Sequence, residues 1–85
     1  MNLQDLQQQL VQCYSSQDQN IQVAAQQANN YTEMLKAGQL NKQEYQELLL
    51  DIQRSAAIAQ SMDQAGYKEI LSNVINGLIS LSSLI

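Results

Sequence analysis

The sequence predicts an all-α protein, and three observations carry that prediction. Proline is absent and glycine occurs only three times in 85 residues, so few positions interrupt a helix. Sixteen residues are glutamine, which favours helix without requiring burial. Apolar residues recur at the three- and four-residue spacing of a helix that buries one stripe. At this length the chain reads as a single helical domain, 1–85, near the size where one core barely offsets chain entropy.

The first helix is predicted over 2–37. On a wheel of about 100° per residue, Leu3, Leu6, Leu10, Cys13, Tyr14, Ile21, Ala24, Ala25, Ala28, Tyr31 and Leu35 fall within about 120°. The register survives the polar stretch Ser15-Ser16-Gln17-Asp18-Gln19-Asn20. That continuity favours one rod of roughly 50 Å, at about 1.5 Å per residue, over two helices joined by a serine turn capped by Ser16 and Gln19.

The next boundary is marked by four devices. Lys36 suits a last helical turn, and Gly38 can take the left-handed conformation that stops a helix. Asn41 and Glu44 form a capping box, with Leu40 and Tyr45 spaced as a hydrophobic staple. The second helix is predicted over 42–62, with Tyr45, Leu48, Leu49, Ile52, Ala56 and Ala59 as its stripe. Leu50, Ala57 and Ile58 fall outside it and suggest a second contact surface. Glu44, Glu47 and Asp51 face broadly one way, but a carboxylate row on one helix supplies too few converging ligands for a hard cation, and no metal is expected there.

A third helix is predicted over 66–83, with Gly66 as the stop or kink and Ser61 or Asp63 as a possible cap. From Ile70 onward no side chain is charged, and Ile70, Leu71, Val74, Ile75, Leu78, Ile79, Leu81, Leu84 and Ile85 cover about 220° of the wheel. Burying them is worth about 15 to 25 kcal/mol gross, against a similar cost of ordering the segment. Two narrow stripes, one of them alanine-rich, cover about half of that surface. The expectation is therefore a helical hairpin or three-helix arrangement that self-associates through these nine residues. The segment is too short and too rich in Ser and Asn to span a bilayer, and it lacks the basic residues of an interfacial helix.

Charge and composition exclude several functions. The net charge is −4, and Lys36, Lys42, Arg54 and Lys68 are scattered singly, so no cationic stripe exists for nucleic acid. Cys13 is the only cysteine and there is no histidine, so the thiol has no base beside it and reads as a small buried hydrophobe. Asn30-Tyr31-Thr32 matches a glycosylation acceptor, but the N-terminus lacks the pattern of a secretion signal, and the match reads as chance. No catalytic, cofactor or phosphate-cradling constellation is visible, so an enzyme is not expected.

The segment Met34-Leu35-Lys36-Ala37-Gly38-Gln39-Leu40-Asn41-Lys42-Gln43-Glu44-Tyr45-Gln46-Glu47-Leu48-Leu49 resembles the helix, Gly, helix pattern of small oligomerisation modules of the SHOCT type. Leu35, Gly38, Leu40, Asn41 and the Glu44-Tyr45 pair carry the likeness, although this chain continues well beyond that pattern. The opening Leu3-Gln4-Asp5-Leu6-Gln7-Gln8-Gln9-Leu10 and the tail Asn76-Gly77-Leu78-Ile79-Ser80-Leu81 resemble small helical proteins of tailed bacteriophages, including myophages of marine cyanobacteria. The resemblance implies a non-enzymatic structural or assembly role in a virion, with the chain itself or larger phage proteins as partners and the virion or host cytoplasm as location. It assigns no functional residue. The other expectation is a cytoplasmic adaptor or inhibitor that binds one host or bacterial protein by helix-in-groove recognition.

Overall fold

A computed structural model describes residues 3–55 and 66–83. These residues form four helices and no strand: α1 (Leu3–Cys13), α2 (Gln19–Lys36), α3 (Lys42–Gln53) and α4 (Tyr67–Ser82). The protein is all-α, with four described helices in place of the expected two or three.

The first correction is at residues 14–18, where the predicted rod bends back. After Cys13 the chain tightens, with the Tyr14, Ser15 and Ser16 amides donating to the carbonyls three residues back. The Asp18 amide then donates to Ser16 Oγ at 3.1 Å, and Asp18 caps α2 by accepting from the Asn20 amide at 2.8 Å. Short polar side chains thus satisfy the backbone groups that a continuous helix would have used. The cap is Asp18, not Ser16, which is buried and ties the loop together. A straight helix over 3–36 would be about 51 Å long, against a longest molecular dimension of 34 Å.

The second turn is built as predicted. Ala37 ends α2, Gly38 has φ 77°, and the Gln39 amide reaches Met34 O at 2.8 Å while the Gly38 amide reaches Leu35 O at 3.1 Å, a Schellman closure. Asn41 Oδ1 accepts from the Glu44 amide at 2.8 Å, and Glu44 Oε1 accepts from the Asn41 amide at 3.2 Å. Leu40 packs on the core cluster that includes the fully buried Tyr45.

Helix α3 stops earlier than expected. The Arg54 amide donates to Leu50 O and the Ser55 amide to Ile52 O at 3.1 Å, a tightened last turn. The expected contacts of Ala56, Ala57, Ile58 and Ala59, and the Ser61 or Asp63 cap, lie outside the described residues. Gly66, at φ 83°, opens α4 close to where the sequence places a start.

The helices pack as four antiparallel neighbours, in the manner of an up-down-up-down bundle. Cross-links fix the directions: Gln7 meets Asn29 and Glu33, Thr32 meets Tyr45, Gln46 meets Ser82, and Gln53 meets Asn76. Helix α1 closes the ring on α4, with Leu6 against Gly77 and Cys13 beside Tyr67. The core runs through all four helices, from Leu6, Leu10 and Cys13 through Ile21, Ala25 and Ala28 to Tyr45, Leu49, Leu71, Val74, Ile75 and Leu78.

Candidate interaction surface

The residues expected to form an interface through the last helix are mostly core. Leu71, Val74, Ile75 and Leu78 are buried, and Ile70, Ile79 and Leu81 are partly buried and packed against the same cluster. Leu84 and Ile85 lie outside the described residues. Helix α4 touches α1, α3 and α2, so the described part of its apolar arc is covered from three sides. For the seven described residues of the arc, the expectation that the chain could not cover them is corrected, and the cause is the bend at residues 14–18. Folding α1 back brings Leu6, Leu10 and Cys13 onto a surface that a straight rod would have left bare. Among the described residues from Ile70 onward, Asn73, Asn76, Ser80 and Ser83 form the exposed stripe. That stripe is narrow enough for uncharged residues to solvate.

Several glutamines are struts between helices or across a turn. Gln7 is nearly buried, and its side-chain amide donates to Asn29 Oδ1 at 3.0 Å and Glu33 Oε1 at 2.8 Å while its carbonyl accepts from Lys36 Nζ at 2.6 Å. One uncharged side chain thereby holds three partners on α2 and joins the two ends of a weak surface ion pair, Lys36 with Glu33 at 3.8 Å. On the other side of the bundle, Gln46 Nε2 donates to Ser82 Oγ at 2.9 Å and Gln53 Nε2 to Asn76 Oδ1 at 2.7 Å, two rungs between α3 and α4. Gln22 donates to the Ser16 carbonyl and braces the first turn.

The deepest polar contact joins Thr32 and Tyr45. Thr32 Oγ1 donates its one proton to Ala28 O at 2.8 Å, so the Tyr45 hydroxyl, 2.6 Å away, is the donor to Thr32. Burial pushes the Tyr45 phenol above its ordinary pKa, because the phenolate would lose its water. The same contact consumes the hydroxyl that the Asn30-Tyr31-Thr32 acceptor sequence would have to present, and all three residues lie within α2. Among the described residues no buried side-chain polar atom lacks a partner.

The outer faces divide by charge. Glu44, Glu47, Asp51, Lys42 and Arg54 stand exposed on α3, and no group of three acidic, cysteine or histidine side chains that could hold a metal occurs among the described residues. Over residues 6–32, in contrast, Asp18 is the single charged side chain, and it is engaged at the α2 cap. The exposed positions of that stretch include Gln8, Gln12, Gln26 and Gln27, together with Val11 and Val23 at 52% and 41% exposure. These two valines are the large hydrophobic residues that the described surface leaves in water. A shallow groove of about 260 Å³ lies beside Val23 between α2 and α3, and the described residues of its lining, which include Gln19, Asn20, Ala24, Ile52 and Ser55, carry no titratable group. No described helix is long and apolar enough to cross a membrane.

Sequence reasoning found the outward glutamines but not the inward ones, because partners 22 to 36 residues away leave no local signal. No family model, no curated protein and no solved structure matches the chain.

Proposed function

We propose that the protein is a non-enzymatic structural or assembly component of a tailed-phage particle, presenting the amide-rich outer faces of α1 and α2 to a larger assembly by helix–helix association. The observation that carries this reading is the single-charge stretch over residues 6–32, which faces water with glutamines and two valines. Such a surface can be covered by another protein without stranding a charge, since each amide both donates and accepts. The resemblance of the opening and closing segments to small phage proteins supports the setting, a virion or the host cytoplasm.

Mass spectrometry of purified particles, or capture with the full chain, tests it. The expected result is co-purification with structural proteins in many copies, lost in a Val11→Asp/Val23→Asp chain that keeps its helical circular dichroism. Co-purification that is indifferent to this pair overturns the assignment of the surface. A defined one-to-one complex with a host or bacterial protein replaces assembly with the adaptor or inhibitor role.

A further inference from the structure

The bend between α1 and α2 is unusual in what it lacks. Residues 14–18 contain no glycine and no proline, and no non-glycine residue among those described has a positive φ. The apolar register of a single helix also runs through the bend, from Leu10, Cys13 and Tyr14 to Ile21, Ala24 and Ala25. Backbone geometry therefore does not oblige the chain to turn there. Three backbone hydrogen bonds tighten the end of α1, and beyond them the reversal is held by side chains: Ser16 on the Asp18 amide, Asp18 on the Asn20 amide, and Gln22 on the Ser16 carbonyl.

We infer that α1 is an exchangeable helix and that its second seat is on another copy of this chain. With residues 14–18 helical, α1 and α2 form one rod, and α1 takes the place of its counterpart on the α4 and α2 of the other copy, as in domain swapping. Every contact that seats α1 is re-formed across the two copies: Leu6 on Gly77, Gln7 with Asn29, Glu33 and Lys36, and the Cys13 thiol on the Tyr67 carbonyl. The occupant is thus fixed by identity, since the α1 of another copy carries the same Leu6, Gln7 and Cys13 that fill this seat. What changes is confined to the two hinges, where side-chain caps are exchanged for ordinary helical hydrogen bonds. Gln17, exposed in the closed form, then lies inside the apolar arc of the rod. There its amide can pair with the Gln17 of the other copy across a two-fold axis.

Two variants push the equilibrium in opposite directions. Asp18→Ala removes a cap from the closed form; at about fivefold per cap, two hinges raise the dimerisation constant about 25-fold. Gln19→Pro acts the other way, because Gln19 is the first residue of α2 and Asp18 already has the extended conformation, φ −85° and ψ 116°, that precedes a proline. Proline there fits the bend and breaks the rod. Sedimentation is expected to show a monomer–dimer equilibrium for the wild-type chain, a larger dimer share in Asp18→Ala, and monomer alone in Gln19→Pro with unchanged helical circular dichroism.

Spin labels on Gln8→Cys and Gln27→Cys in a Cys13→Ser chain, diluted with unlabelled chain, separate swapping from ordinary association. The rod places these positions about 28 Å apart at about 1.5 Å per residue, whereas antiparallel neighbours hold them closer. A long distance in the dimer fraction is the expected result. A dimer with the short distance, or an Asp18→Ala chain that stays monomeric at millimolar concentration, overturns the inference. These measurements concern the isolated chain, so their failure leaves the particle experiment to decide the assembly reading on its own.

Discussion

Two turns bracket α2, and they are built from different materials. At 37–41 the stop is in the backbone: Gly38 at φ 77°, two Schellman hydrogen bonds, and a reciprocal box between Asn41 and Glu44. At 14–18 all residues keep negative φ, and after a short three-residue-spaced backbone turn the reversal rests on Ser16, Asp18 and Gln22 side chains. A backbone stop is encoded locally and holds whatever packs around it. A side-chain stop holds only while the flanking helix gains more from folding back than from running on. For α1 that gain is the burial of Leu6 and Leu10 in the core shared with α4, about 1.5 to 3 kcal/mol for each side chain.

The contrast is sharpest where α1 itself is weakened. Leu6→Ala is expected to cost about 2 to 5 kcal/mol in urea denaturation, more than any single substitution in either turn, because Leu6 is buried where α1 meets Gly77. A loss below 1 kcal/mol would mean that the first turn holds α1 without help. Next in size is Gly38→Ala, at about 1 to 2 kcal/mol. No atom lies within 4 Å of the added methyl, so the whole cost is backbone conformation. Asn41→Ala and Asp18→Ala should each lose about 1 kcal/mol. They should differ in outcome, since Gly38 keeps the second turn bent while the first has nothing comparable.

An effect of similar size concerns the anchor just after the second turn. Tyr45→Phe should cost about 1 kcal/mol near neutral pH, for one buried hydrogen bond. The pH dependence is more telling. Since the phenol titrates higher in the folded state than its ordinary value near 10, the folded chain keeps a proton that the unfolded chain gives up. Stability from this group is therefore complete below about pH 10 and declines as pH rises beyond it. Thermal melts from pH 9 upward should show the wild type losing part of its advantage over Tyr45→Phe.

The same contrast explains what was legible in the sequence. Gly38, Asn41 and Glu44 announce the second turn because each device lies within a few residues of the next. The first turn is masked, since apolar register passes through it and the residue three after the Asp18 cap is Ile21, so no box forms. Missing that bend also misplaced the role of α4. A rod leaves Leu71, Val74, Ile75 and Leu78 short of neighbours, whereas a folded-back α1 supplies them. The all-α class followed from composition and period; the way the glutamines divide between struts and surface depended on contacts that only the packed chain brings together. For the candidate surface, the glutamine-rich outer faces are legible in the sequence, and Asp18 is the single charge over residues 6–32, but the two exposed valines are not separable from buried apolar neighbours.

Cys13 is the sole thiol of the chain and is fully buried where the end of α1 meets the start of α4. A sulfhydryl reagent can reach it only when that seam parts, so the rate of labelling is a stopwatch for the lifting of α1. If labelling outpaces global unfolding, the first helix departs by itself while the other three stay in place.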